Sequence, residues 1–228
     1  MYEVIPGILE KDWGEIERKI NLVKSFTKTE SNSAAAIHID IIDGKFAPNT
    51  TFLDPAPFAK YAKDLLFEVH LMVEEPINYL ESFADAGFKR LIAHVEKMSD
   101  QVEFVAQAQR LGEVGLAIDA PTSIDAINVP LADLDFVTIM TVKAGLSGQE
   151  FIKECLKKVK MLKPRQTRLK QVQHDMKIEV DGGINDKTIV EASKAGATRF
   201  VATSFVFGSQ DPQKQYELLT SCVGKVGS

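Results

Sequence analysis

The segment AAIHIDII (residues 35–42) decides between two folds. It is short, rich in isoleucine and bounded by loop-like sequence, the pattern of a strand covered on both faces in a parallel sheet. Yet it carries His38 and Asp40, which a two-residue period turns to the same side. If one of them faces a barrel interior, both do. Seven runs of similar character accompany it: VIPGIL (4–9), LFEVHLMV (66–73), RLIAHVE (90–96), VGLAID (114–119), FVTIMTV (136–142), KIEVDGG (177–183) and RFVATS (199–204). Amphipathic stretches lie between them. DWGEIERKINLVKSF (12–26) puts Ile16, Ile20 and Val23 on one helical face, with Asp12 placed to cap its start. INYLESFADAG, DQVEFVAQAQRLG, EFIKECLKKVKMLK and DKTIVEASKAG follow the same logic, and three of them close on a glycine that fits a helix C-cap, Gly87, Gly112 and Gly196.

Strand and helix in alternation define an α/β fold with a parallel sheet. Roughly eight such units in one chain of this length is the arithmetic of a compact TIM (β/α)8 barrel, a single domain over residues 1–228. The competing fold, an open doubly wound sheet, carries a Gly-rich loop after its first strand. Here that strand is followed by EKDWGE, with no GxGxxG. No linker, repeat or low-complexity segment divides the chain. The most polar stretch, KPRQTRLKQVQHDMK (163–177), reads as a helix extension and loop on the outside, with His174 solvated.

Composition narrows the function classes. Hydrophobic residues make up 45% of the chain, enough for a sizeable core. A formal charge of -5 lacks the basic footprint of a nucleic-acid binder and disfavours anionic membranes. No stretch approaches the ~18 apolar residues of a membrane span, and MYEVIPGILEKDW lacks the basic-then-apolar pattern of a secretory signal. Cys155 and Cys222 lie far apart and read as reduced thiols. The expectation is a soluble, cytoplasmic protein.

Catalytic groups of such barrels sit at the C-terminal ends of the strands. Those ends offer His38 and Asp40 on the second strand, His70 with Met72 on its side on the third, and Asp181 with Glu179 beneath it on the seventh. His38, Asp40, His70 and Asp181 can converge above the barrel axis. Two imidazoles and two carboxylates suit one divalent ion, zinc, ferrous iron, manganese or cobalt. Asp43 reads as the cap of the turn before Gly44, and His94 as a core residue. Three adjoining loops carry small residues: Gly145, Ser147 and Gly148 after strand six, Gly182 and Gly183 after strand seven, Thr203 and Ser204 after strand eight. They fit a phosphate cradle, and equally ordinary βα turns.

HIDIIDGKFAPN, EVHLMVEEP, IMTVKAGLSGQEFI and IEVDGGIND together resemble the signature segments of the ribulose-phosphate 3-epimerases, in the right order and spacing over nearly the whole chain. The resemblance implies a TIM barrel with a divalent metal that interconverts D-ribulose 5-phosphate and D-xylulose 5-phosphate in the pentose phosphate pathway. It implies metal ligands at His38, Asp40, His70 and Asp181, with Asp40 and Asp181 as the two acid/base residues. It implies methionines crowding the reacting centre at Met72 and Met140. Gly148, Gly182, Gly183 and Ser204 match the phosphate region. Family members are often oligomers, so a homo-oligomer is an open expectation.

Several positions depart from the pattern. Gly7 replaces a serine that contacts substrate, Ile42 a methionine, and Lys143-Ala144 an Asn-Pro. Ser147-Gly148 stands for Gly-Gly, Asp119-Ala120 for Asn-Pro, and Thr203-Ser204 for Gly-Ser. The ligand and acid/base set is intact while the substrate shell has drifted. This leaves three readings: the pentulose-phosphate epimerase, an epimerase of another ketose phosphate such as allulose 6-phosphate, and a phosphosugar-binding paralogue without turnover. The lyase and decarboxylase barrels with an Asp-x-Lys-x-x-Asp strand are disfavoured, because EVHLMVEEP has no such lysine.

Overall fold

The structure, a computed structural model, describes residues 2–26, 35–171 and 176–224. His174 lies outside them. Eight strands close into a barrel in chain order: β1 (Glu3–Ile8), β2 (Ala35–Ile42), β3 (Leu65–Met72), β4 (Arg90–His94), β5 (Glu113–Ile118), β6 (Phe136–Met140), β7 (Lys177–Asp181) and β8 (Arg199–Ala202). Every pair is parallel, and β1 to β8 shuts the ring. The open doubly wound alternative is thereby excluded. The helices are α1 (Trp13–Phe26), α2 (Leu80–Asp85), α3 (Gln101–Ala108), α4 (Leu156–Gln171), α5 (Thr188–Ala195), α6 (Ser204–Phe207) and α7 (Pro212–Gly224).

The sequence explains where helices start and where they fail. Asp12 accepts from Glu15 N–H at 3.1 Å and Asp100 from Glu103 N–H at 2.9 Å, satisfying free donors at the starts of α1 and α3. Gly87 and Gly196 take the positive φ expected of C-caps. Gly112 does not: α3 ends at Ala108, and a Cβ on Gly112 would stand 2.4 Å from the Lys89 carbonyl oxygen. Its smallness serves that close approach. Between β2 and β3, and between β5 and β6, the described residues form only 3-10 turns, at Ala56–Tyr61, Ile124–Ala126 and Leu131–Asp133. Prolines 55, 57, 121 and 130 fall in these segments and break up any longer helix.

Strand phase sorts the side chains into two environments. Ile37, Ile39 and Ile41 of β2, Phe67, Val69 and Leu71 of β3, and Ile178 and Val180 of β7 join one buried cluster with Ile16, Ile20 and Val23 of α1. That cluster fills the space between barrel and helices, each such side chain contributing about 1.5–3 kcal/mol. The alternate residues, His38 and Asp40, Glu68 and His70, Glu179 and Asp181, turn into the barrel.

The barrel floor is ionic and aromatic. Arg199 contacts Glu68, lies 3.2 Å from both Glu179 and Glu3, and stacks its guanidinium 4.3 Å from the Phe136 ring centre. Phe136 packs with Ile92 and Ala117 and fills the space that a side chain on residue 115 would need. A Cβ on Gly115 would lie 2.1 Å from the Phe136 ring. Gly115→Ala is therefore expected to destabilise the fold by about 1–3 kcal/mol through overpacking, and Phe136→Leu in the same chain to restore part of it. Denaturant melts of the single and double variants check this, and a neutral Gly115→Ala contradicts it.

Candidate active site and metal centre

Register places the functional side chains at one height. Asp40 pairs with His70 across β2 and β3, Met140 with Asp181 across β6 and β7, and Ile42 with Met72 one step higher. His38 Nε2 lies 3.3 Å from Asp40 Oδ1 and 3.7 Å from Asp181 Oδ2. His70 Nδ1 lies 3.1 Å from Asp40 Oδ1 and 3.3 Å from Asp181 Oδ2. All four side chains are buried, and one ligand atom from each lies within 4.8 Å of the others. Bonds of ~2.0–2.2 Å from one ion to N and O donors bring the donors to roughly 3–3.5 Å from each other. The cluster has that spacing and that donor chemistry, so it could bind a divalent metal ion.

Deeper groups set the chemistry of these four side chains. Glu68 Oε1 lies 2.7 Å from His38 Nδ1 and, as an anion, accepts a hydrogen bond from that ring N–H, which leaves Nε2 turned to the acids. Burial raises the Glu68 carboxyl, but Arg199 and His38 bring it down to about 2, so it stays an anion. Burial opposes a charged His38, yet Asp40, Glu68 and Asp181 around it hold its pKa well above the ordinary value. His70 is likewise disfavoured by burial but pushed up to about 9 by hydrogen bonds to Asp181 and Asp40. Burial opposes the Asp40 anion, and the two imidazoles hold its carboxyl below the usual range. Without an ion, protons on the histidines neutralise this pocket of acids. Glu179, below Asp181, is pushed up to about 7 by burial and Glu68.

A pocket opens above this cluster. Asp40, Asp181, Met72 and Met140 line it together with Gly145, Ser147, Gly148, Gly182, Gly183, Thr203 and Ser204. Gly7 is absent from this lining. It stands at the end of β1, beside His38 in register and beneath the Thr203 side chain. Ile42 packs with Met72 and Met140, filling apolar volume at the mouth. Asp119 Oδ1 accepts from the N–H groups of Ala120 and Ala144, tying the loop after β5 to the loop after β6. Lys143 is exposed. Asp43 caps its turn as expected, accepting from Lys45, Phe46 and Glu74 N–H groups.

Sequence reasoning missed Glu68 and Arg199, although the two-residue period that found His70 points to Glu68 as well. It placed His94 in the core, where it is buried, but not its stacking on His70 at 4.9 Å and 18°.

A closed parallel barrel with paired acids, two imidazoles and a glycine-lined pocket at its C-terminal mouth has the make-up of a metal-competent TIM-barrel enzyme. The chain matches the profile of the Ribulose-phosphate 3 epimerase family over residues 3–207. It is 36% identical over 217 residues to the ribulose-phosphate 3-epimerase of Bacillus subtilis (strain 168), covering 94% of this chain and 96% of that one. To the ribulose-phosphate 3-epimerase of Schizosaccharomyces pombe it is 32% identical over 228 residues, covering 98% and 94%. The solved structure of 3-keto-L-gulonate-6-phosphate decarboxylase from Vibrio cholerae shares the fold, with a TM-score of 0.68 over 99% of both chains at 10% identity. The chain belongs to the ribulose-phosphate 3-epimerase family and is an epimerase, an enzyme of the isomerase class. No helix among the described residues is long and apolar enough to cross a membrane.

The raised histidines give a pH signature. The His70 pKa lies above its unfolded value of 6.5, so its contribution to metal-free stability is full below that pH and lost as pH rises through about 9. A dication competes for the same lone pairs. Zinc titrated into metal-stripped protein at neutral pH should therefore expel roughly one to two protons per ion. Calorimetry in buffers of different ionisation enthalpy reads that number, and a heat independent of buffer contradicts it.

Proposed function

We propose that the protein is a metal-dependent 3-epimerase interconverting D-ribulose 5-phosphate and D-xylulose 5-phosphate. The observation that carries the reading is the meeting of Asp40 and Asp181 at one pocket, from strands three steps apart around the barrel. Inverting a carbon beside a ketone requires proton removal from one face and proton return to the other, which asks for two carboxylates. One aspartate takes the proton, and the C–H electron pair moves into an enediolate. The other aspartate, which enters the step as the carboxylic acid, gives its proton to the same carbon from the opposite face, and the ketone re-forms. A divalent ion bound by His38, Asp40, His70 and Asp181 would supply Lewis-acid stabilisation for the charge on the ketone oxygen.

The remaining residues bind and orient. Met72 and Met140, backed by Ile42, give the pocket an apolar wall that keeps water from the carbanion-like centre. Thr141 ties down the Asp181 and Gly182 carbonyls and Thr188 the Gly183 carbonyl, so this turn is held by its carbonyl side. Gly182 and Gly183 take φ of 110° and 66°, and their N–H groups, with that of Ser204, can donate to a phosphate. Phosphate bound there fixes the sugar so that its reacting carbon lies between the acids. Family membership and the ribulose-phosphate 3-epimerase activity of the Bacillus subtilis and Schizosaccharomyces pombe relatives support the same substrate.

A panel of ketose phosphates, including ribulose 5-phosphate and allulose 6-phosphate, assayed with metal-replete protein, tests the assignment. Fastest conversion of ribulose 5-phosphate is expected. Preference for a hexulose phosphate shifts the reading to another epimerase, and binding without turnover to a non-catalytic paralogue. Asp181→Asn should lower kcat/KM for the preferred substrate by roughly 10²–10⁴-fold, because one proton carrier is lost. Activity within a few-fold of wild type removes Asp181 from the proposal.

A further inference from the structure

We infer that Thr203 supplies the substrate-binding hydroxyl at the end of β1, a place where residue 7 has no side chain of its own. Gly7 sits in a strand, and its φ is not among the positive ones, so backbone conformation does not demand glycine there. A glycine within a strand weakens it, and marks a place where another group comes close. That group is Thr203. A Cβ on residue 7 would stand 2.4 Å from Thr203 Oγ1 and 2.9 Å from Val201 Cγ1. Thr203 Oγ1 and Val201 Cγ1 therefore occupy the volume that a side chain on residue 7 would claim, and filling both 7 and 203 would force these side chains to shift.

The hydroxyl is placed for a ligand. Gly7 is the register partner of His38, so Thr203 lies over the strand end beside the histidine. It lines the pocket together with Asp40, Asp181, Gly183 and Ser204. It is half-buried and not used by the helix that follows: its side chain makes no cap to α6, and its carbonyl instead accepts from Phe207 N–H at 3.0 Å. A hydroxyl can both donate and accept. Lining the same pocket as Asp40, Asp181 and the Gly182–Gly183 turn, it suits a chain hydroxyl of a ketose phosphate. The glycine at 7 and the threonine at 203 are then a matched pair, the hydroxyl of one standing in the space the other leaves empty. The identity of the ligand rests on the epimerase reading, whereas the steric exclusion does not.

A double-mutant cycle tests this, with wild type, Thr203→Val, Gly7→Ser, and Gly7→Ser/Thr203→Gly, each assayed for kcat/KM with ribulose 5-phosphate, bound metal and melting temperature. Thr203→Val should keep metal and melting temperature and lose about tenfold in kcat/KM, chiefly through KM. Gly7→Ser alone should melt lower and lose activity, and the double variant should recover both to within about threefold of wild-type activity. An unaffected Thr203→Val, or a double variant no better than Gly7→Ser, overturns the inference while leaving the epimerase reading intact. If wild type does not turn over ribulose 5-phosphate, the epimerase reading fails, and calorimetric affinity for that compound reads the same cycle. Wild type that neither converts nor binds it overturns both.

Discussion

The carboxylate of Glu68 joins the floor of this barrel to its mouth. One oxygen meets Arg199, and the other lies 2.7 Å from His38 Nδ1. Glu68 and His38 have no exposed surface, and Arg199 has almost none. A buried charge is tolerated only when paired and hydrogen-bonded, and removing one partner of such a pair typically costs about 3–5 kcal/mol. Glu68 answers both sides of that constraint. It compensates the guanidinium under it and orients the imidazole above it, so that Nε2 faces Asp40 and Asp181. The stability of the floor and the chemistry of the mouth therefore share one residue.

That arrangement depends on strand phase. A one-residue slip of β2 would send Ile37, Ile39 and Ile41 into the barrel and His38 and Asp40 against α1. The apolar residues fix the phase, because they must meet Ile16, Ile20 and Val23. The polar residues follow without further cost. Packing energy on the outside of the sheet thus aims the reactive groups on the inside.

This is why so much was legible in advance. The bounds of β2 coincide with the segment AAIHIDII, since its period and isoleucine content admit only one phase. His38, Asp40, His70 and Asp181 were found because strand ends are where barrels keep chemistry, and the structure brings them together. What the sequence concealed were relations between distant strands. Arg199 meets Glu68 across 131 residues, and nothing local announces it. The role of Gly7 was hidden in the same way, because its meaning lies in Thr203 and not in its own turn. Gly112 was misread as a cap because a close approach to Lys89 leaves no local mark.

The drift of the shell also takes physical shape. Ile42 keeps the mouth apolar beside two methionines. Asp119 gives its carboxylate to loop amides, and Lys143 points to solvent, so these changes leave the acids and imidazoles untouched. The central claim is that two carboxylates carry a proton off one face of a carbon and onto the other. Running the reaction with ribulose 5-phosphate in deuterated water and following C3 by NMR tests it most directly. The account predicts that xylulose 5-phosphate carries solvent deuterium at C3 from the first turnover, ahead of its appearance in unreacted substrate. Product that retains the substrate's own hydrogen at that carbon would contradict it.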